Sequence, residues 1–281
     1  AVAAGTWDQA FAAAALVDVT WEVLPAVLEI EEALEKQQFT YPPPTLARGD
    51  TEAALAAAAH RITGELRCGG QDHFYLETHI ALATPRENGE MDIISSTQDP
   101  SEVQRGVAHV LGLPFSAVTV EVRRMGGAFG GKESQATMFA SIAALAAHAT
   151  GRPVKLRLRR DDDMIASGKR HDFLFRYDVG FDDNGRIDAA DIMLAARSGN
   201  VADMTPGVLV RALCHADNCY FIPHVRFRGF PCKTNTVSNT AFRGFGGPQG
   251  MIVIEAIIEH IACHLDTDIE TVRAINYYGG D

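Results

Sequence analysis

The sequence lacks any apolar run of the ~18 or more residues that a membrane-spanning helix requires, so it offers no candidate span. It also lacks positive charge: 25 Lys and Arg stand against 36 Asp and Glu, for a net charge of −11. A nucleic-acid partner normally calls for a basic field, which argues against that class. No block of like charges marks a tail. Cysteine is sparse, with five residues at Cys68, Cys214, Cys219, Cys232 and Cys263, none in a C-x-x-C pair. An odd, scattered set is poor material for disulfides, has no iron–sulfur spacing, and reads as a protein of the reducing cytoplasm. No secretory signal pattern follows Ala1, and an opening already helical in pattern, without Met, is expected of a processed chain or an excised segment. There is no internal repeat.

What is present suffices for one large domain, or a large one with a small one: 281 residues, 47% of them hydrophobic. Residues 1–17 are Ala-rich and helical in pattern, 19–23 alternate like a strand, and 30–36 read as a short acidic helix. Residues 37–50, with three prolines and Arg48-Gly49-Asp50, read as a linker. A second Ala-rich helix is expected over 51–60, then strands over 73–84 and 91–97. Asp99 as N-cap, Pro100 at the first helical position and Glu102 predict a helix start, and Gly112 predicts its end. Further strands are expected over 118–124 and 153–159, with a helix from the loop at 125–132 to about His148. Asp183-Asn184-Gly185 predicts a hairpin between 173–181 and 186–196. Pro248 opens a long apolar helix to about Leu265, and Thr267 with Glu270 predicts a capping box for a last short helix before a loop-like stop at 277–281. Strands and helices mix without strict alternation, which gives an α+β, or mixed α/β, class.

Two glycine-rich loops carry the chemistry. The first, MGGAFGGKE at 125–133, lies between a strand and a helix and has four glycines in six positions. Such a loop lets a ligand approach bare amides, and the helix that follows turns its positive end toward that ligand. Gly126, Gly131 and Lys132 fit the frame G-x-x-x-x-G-K of a phosphate-binding loop. Glu133, however, stands where a magnesium-binding hydroxyl is required, which argues against a nucleotide triphosphatase. The second loop, NTAFRGFGGPQG at 239–250, again feeds a helix, and Arg243 offers it a planar cation between Phe242 and Phe245. Gln98, at a strand end, is placed where ligands gather in α/β sheets. Glu133 and Arg211 are ordinary in isolation. His260 and His264 have metal-binding spacing, but Ile261 replaces the glutamate of the metalloprotease pattern, and a solvated helix face with Glu255 and Glu259 is the expectation. No side chain is assigned as a metal ligand.

Together, GGQDHFYLETH at 69–79, Ser96-Thr97-Gln98, MGGAFGGKE, Arg211-Ala212-Leu213 with Asp217-Asn218-Cys219-Tyr220, and NTAFRGFGGPQG resemble the molybdenum-binding portion of the xanthine dehydrogenase/oxidase family. The resemblance implies that residues 1–37 end a small α/β hammerhead domain, that 38–50 are a linker, and that 51–281 form the first of two molybdopterin-binding domains. It implies a molybdopterin cofactor approached by Gln98, Phe129, Gly130, Ala241 and Arg243. It further implies a purine held by Glu133, Arg211 and Phe245, with Gln98, Glu133 and Arg211 as the catalytic set.

The activity so implied is hydroxylation of hypoxanthine and xanthine towards urate with water-derived oxygen. Electrons leave through iron–sulfur clusters and FAD on other domains or subunits of an oligomer. The family's general base is a glutamate of the second molybdenum domain, outside this stretch of sequence, so this chain alone is expected to be inactive. Aldehyde oxidases generally lack the Glu/Arg pair, and a carboxylate and a guanidinium on opposite sides of a planar ring suit a purine with both donors and acceptors. The alternatives are an aldehyde or other N-heterocycle hydroxylase of the same family, and a non-catalytic assembly module.

Overall fold

A computed structural model of the chain describes residues 1–279; of the loop-like stop expected at 277–281, the last two residues lie outside them. The chain forms two compact units, interleaved along the sequence: Ala1–Ala26 with His73–Ser167, and Val27–Asp72 with Gly168–Asp281. Elements are numbered in chain order. They are α1 (Trp7–Ala14), α2 (Ile30–Glu35), β1 (Thr45–Arg48), α3 (Thr51–Ala57), β2 (His60–Cys68), β3 (Ile80–Pro85), β4 (Met91–Ser95), α4 (Pro100–Leu111) and β5 (Val118–Glu121). There follow α5 (Ala136–Thr150), β6 (Val154–Arg157), α6 (Arg160–Ala166), β7 (Phe173–Phe181), β8 (Ile187–Gly199), α7 (Thr205–Cys214), β9 (His224–Lys233), α8 (Gly247–Leu265) and α9 (Ile269–Asn276).

The first unit is built on a sheet of order β5-β4-β3-β6, in which β4 and β5 are parallel and the other pairs antiparallel. A parallel pair needs a long crossover, and α4 supplies it. That helix starts as its sequence predicts: the Asp99 side chain accepts from the Glu102 amide at 3.0 Å, Pro100 follows, and Gly112 ends it in the left-handed region. In β4 the buried residues alternate, so Met91 and Ile93 face the core with Ala81 and Ala83 of β3. The alanines of α5 complete this core, and Gly106 of α4 lets Thr137 of α5 approach to where a Cβ would stand 2.2 Å away. Beside it lies a buried polar knot. The Asp163 carboxylate accepts from Tyr75 Oη at 2.6 Å, the His79 amide at 2.6 Å and Ser167 Oγ at 3.0 Å. Burial alone would raise this carboxyl; the His79 ring, the Tyr75 hydroxyl and the His79 amide overcome that and hold it well below the usual carboxylate range.

The second unit is a sheet of order β1-β9-β8-β7-β2. β7 and β8 form the hairpin expected around Asp183-Asn184-Gly185, closed by the Asp182 carboxylate on the amides of Asn184 and Arg186. β8 and β9 are parallel and α7 links them. β8 is buried along both faces: Ile192, Leu194 and Ala196 join the core with α7 and α8, while Ala195 joins Val27, Ile30 and Ala33 around α2. α8 enters over α7 with no room for side chains. A Cβ at Gly246 would stand 2.0 Å from the Val208 carbonyl oxygen, and one at Gly250 would stand 2.3 Å from that of Ala212.

Three expectations change and two strands, β1 and β2, are unforeseen; of the strand expected over 73–84 only the part from Ile80 forms. Residues 19–23 are not a strand, because Val19, Trp21 and Val23 are all exposed and no ladder partner covers their apolar row. The stretch read as a linker carries β1, paired with β9 from Thr45 to Arg48. β2 was hidden by its charged alternation, since Ile62 is its one fully buried residue among the nine. The cap of α9 is Asp268, whose side chain accepts from the Thr271 amide at 3.2 Å, rather than Thr267.

Two predictions follow from this packing. Gly250→Ala, which in an ordinary helix would stabilise, should here destabilise by roughly 1–3 kcal/mol, because the methyl meets a carbonyl oxygen of α7; urea unfolding measures it. Asp163→Asn should cost about 3 kcal/mol at pH 7 by stripping charge-assisted hydrogen bonds from a buried cluster. The folded carboxyl is depressed, so its stabilisation is complete above the unfolded value of about 4 and is lost as pH falls below that. The gap between wild type and variant should therefore narrow in unfolding curves taken below pH 4.

Candidate functional site

In the first unit, residue 98 and the first glycine loop are joined directly. Gln98 follows β4 and immediately precedes the Asp99 cap, so strand and helix together hold its backbone. Its side-chain carbonyl accepts from the Gly130 amide at 2.9 Å and the Lys132 amide at 3.4 Å, and its backbone N–H donates to the Lys132 carbonyl at 2.9 Å. With its oxygen consumed, the exposed Gln98 side chain presents its NH₂ as a donor. Phe129 and Gly130 lie at the turn with positive φ, 56° and 102°, and the Phe129 side chain is exposed. Glu133 lies three residues before α5, in a turn where its amide donates to the Gly130 carbonyl at 3.4 Å.

Lys132 settles the phosphate-loop question. Its ammonium is wholly buried and donates to the Glu77 carbonyl at 2.7 Å, to Ser96 Oγ at 2.9 Å and to Glu77 Oε2 at 3.3 Å, with the Tyr75 ring 4.6 Å away. Burial pushes this ammonium below the ordinary lysine value, against the pull of Glu77. It is consumed inside the unit and presents no charge to a phosphate. Glu77 also accepts from the Gly126 amide at 3.0 Å and from Ser96 Oγ at 2.6 Å. Burial would raise its carboxyl, but the Ser96 hydroxyl, the Gly126 amide and Lys132 bring it below the usual value. The loop glycines serve this packing: Cβ atoms at Gly126 and Gly131 would meet Glu77 Cβ at 2.5 Å and the His73 ring at 2.7 Å.

In the second unit the structure brings Arg211 and Phe245 together. Arg211 lies in the last turn of α7, where the helix dipole favours a cation. Its guanidinium carbon stands 5.5 Å from the Phe245 ring centroid. One turn earlier, Gly207 leaves space that the same ring fills, since a Cβ there would be 2.7 Å from it. Phe245 itself has φ 48°, between Gly244 and Gly246 at 93° and 95°. Ala241 is buried, so its backbone is the part that can face a ligand, and the Arg243 side chain is exposed.

Sequence reasoning missed three participants. Glu77 stood within a matched stretch without a role; Gly207 carries no signal beyond a glycine inside a helix. Arg170 was not singled out, yet it stacks on Phe242 with its guanidinium carbon 4.0 Å from the ring centroid and donates to the Arg243 carbonyl at 2.9 Å. His260 and His264 do not form a merely solvated face. His260 Nδ1 lies 2.9 Å from Tyr177 Oη, and His264 meets the Phe181 ring edge-on at 5.5 Å.

Comparison with known proteins identifies the family. Residues 31–277 match the family model of the molybdopterin cofactor-binding domain. A xanthine dehydrogenase/oxidase of Gallus gallus is 46% identical over 100% of this chain and 21% of its own length. A xanthine dehydrogenase of Drosophila pseudoobscura pseudoobscura is 48% identical over 99% of this chain and 21% of its own. This chain thus spans about a fifth of the curated relatives it matches. Among solved structures, the aldehyde oxidoreductase of Desulfovibrio gigas superposes with a TM-score of 0.87 at 27% identity, over 99% of this chain and 32% of that one. Quinoline 2-oxidoreductase of Pseudomonas putida 86 gives 0.85 at 25% identity, over 98% and 36%.

The residues present fit an oxygen-rich cofactor. Gln98 holds out a donor whose own acceptor is already used, and Arg170 Nη1 is a buried donor with no acceptor. With residues 31–277 matching its model and a mixed α/β architecture in keeping with it, the chain belongs to the molybdopterin cofactor-binding domain family.

Proposed function

We propose that this chain is part of a molybdenum hydroxylase that oxidises hypoxanthine and xanthine towards urate with oxygen taken from water. It supplies cofactor- and purine-binding loops, and the general base comes from a second molybdenum domain. Residues 1–37 then end a hammerhead domain, 38–50 connect, and 51–281 are the first molybdopterin-binding domain. Each hydroxylation releases two electrons, which iron–sulfur clusters and FAD on other domains or subunits of an oligomer accept. The five cysteines are all free, which suits the reducing cytoplasm. Identity of 46–48% to xanthine dehydrogenases supports the reaction class.

The observation that carries the purine reading is the Arg211–Phe245 pair. Arg211 is an exposed guanidinium braced on an aromatic ring that is itself seated against Gly207. It is a planar donor for a purine carbonyl, able to stabilise negative charge that develops on the ring. Glu133 offers the complementary acceptor for ring N–H groups. When bound, the molybdopterin-held metal supplies a two-electron acceptor and a site at which water is activated. Gln98 donates from its amide NH₂ towards the cofactor, Phe129 and Gly130 offer backbone contacts beside it, and Ala241 and Arg243 do so from the second loop.

Glu133→Ala and Arg211→Ala in the complete enzyme should each lower kcat/KM for xanthine by about 10²–10³ while molybdenum content holds. An aldehyde should be affected far less. Wild-type xanthine turnover in both variants would refute the purine assignment. Gln98→Glu should keep both loop hydrogen bonds, and thus the melting temperature, yet lower kcat by at least about tenfold through loss of the donor. Molybdenum far below one per chain in the wild-type enzyme would favour a non-catalytic assembly module.

A further inference from the structure

Arg170 is tied into the second unit at three points. Its amide donates to the Gln71 carbonyl at 2.9 Å, and the neighbouring Lys169 carbonyl accepts from Thr240 at 3.0 Å, so the backbone runs between residue 71 and the start of the second glycine loop. Its side chain then reaches the loop itself. Nε donates to Gln71 Oε1 at 3.1 Å, Nη2 donates to the Arg243 carbonyl at 2.9 Å, and the guanidinium plane lies over Phe242 at 4.0 Å. Next in sequence, buried His171 bonds Thr205 Oγ1 at 2.8 Å at the first turn of α7, so the backbone at Arg170 is anchored to the helix that carries Arg211.

The remaining nitrogen has no account within the protein. Arg170 Nη1 is buried and has no hydrogen-bond partner. A guanidinium stays charged at any ordinary pH and has five donors, so one buried without an acceptor is costly. Burial accordingly lowers the pKa of this group. Native proteins rarely leave such a donor idle: an ordered water or a ligand completes it. The side chain is also not free to swing away, because Nε, Nη2 and the ring stack fix its plane.

We propose that Arg170 is a cofactor-binding residue: Nη1 donates to an oxygen of the bound molybdopterin, while Nη2 and the guanidinium face hold the 242–245 turn in its binding shape. This rests on the cofactor reading above. The acceptor is an oxygen bearing full or partial negative charge, which is what a fixed guanidinium N–H recognises. Arg170 would thus couple cofactor occupancy to the set of the turn bearing Arg243 and Phe245.

The test uses the complete enzyme with Arg170→Lys and Arg170→Gln. Molybdenum and released pterin are counted per chain, and melting temperatures are measured for loaded and cofactor-free protein. A ligand that binds only the folded state raises the melting temperature by an amount set by its affinity. The expected result is a loaded-minus-free difference at least halved in both variants, with faster cofactor loss on dialysis by tenfold or more. A purely structural role would lower the loaded and free melting temperatures together and leave their difference intact, which would overturn the proposal even for a weakened variant. Equal cofactor retention in wild type and variants would overturn it too, while leaving the cofactor reading standing. A wild-type enzyme without molybdenum and pterin would overturn both.

Discussion

A charge taken out of water must be answered, and at Lys132 that requirement organises the first loop. Its ammonium finds the Glu77 carboxylate and carbonyl and the Ser96 hydroxyl, and Glu77 in turn takes the Gly126 amide. The strand end at Ser96, the run leading to His79 and the glycine loop are pulled to one point. Gln98 then fastens Gly130 and Lys132 from the other side. Lys132 is wholly buried while Glu77 keeps one edge towards solvent, so the ammonium is tied into the unit by several partners at once.

The second loop is held by contact more than by charge. α8 lies so close on α7 that carbonyl oxygens stand where side chains would begin, and Phe245 fills the space left at Gly207. Arg211 covers that ring. The turn is closed by Arg170 through stacking and a backbone hydrogen bond. Each loop therefore presents its donors from fixed positions within its own unit.

What could be read from the sequence was what short-range physics dictates. The Asp99-Pro100 start and Gly112 stop of α4, the β7–β8 hairpin and the entry of α8 at Pro248 are local signals, and each is realised. Gln98, Glu133, Arg211 and Phe245 are singled out by the long, specific strings they stand in, and their roles remain the proposal made above. Long-range contacts were not legible. β1 looks like a linker until β9 pairs with it, and β2 looks too polar for a strand until β7 takes it as an edge. Lys132 looks like a phosphate ligand until Glu77, 55 residues away in sequence, consumes it. Arg170 has no local signature, because its meaning lies in Phe242 and Arg243, more than 70 residues further on.

The way Arg211 is mounted has a consequence for how new specificities arise on this scaffold. The helix beneath it is locked by backbone contacts through Gly246 and Gly250, whereas its own side chain is exposed and rests on a ring. The tip can be exchanged without disturbing the mount. If Arg211 meets substrate as proposed, a neutral or smaller group in its place alters what is accepted while the packing of α7 and α8 holds. Selection could then diversify the substrate through a handful of exposed positions, while the glycines that hold the helices together tolerate almost nothing.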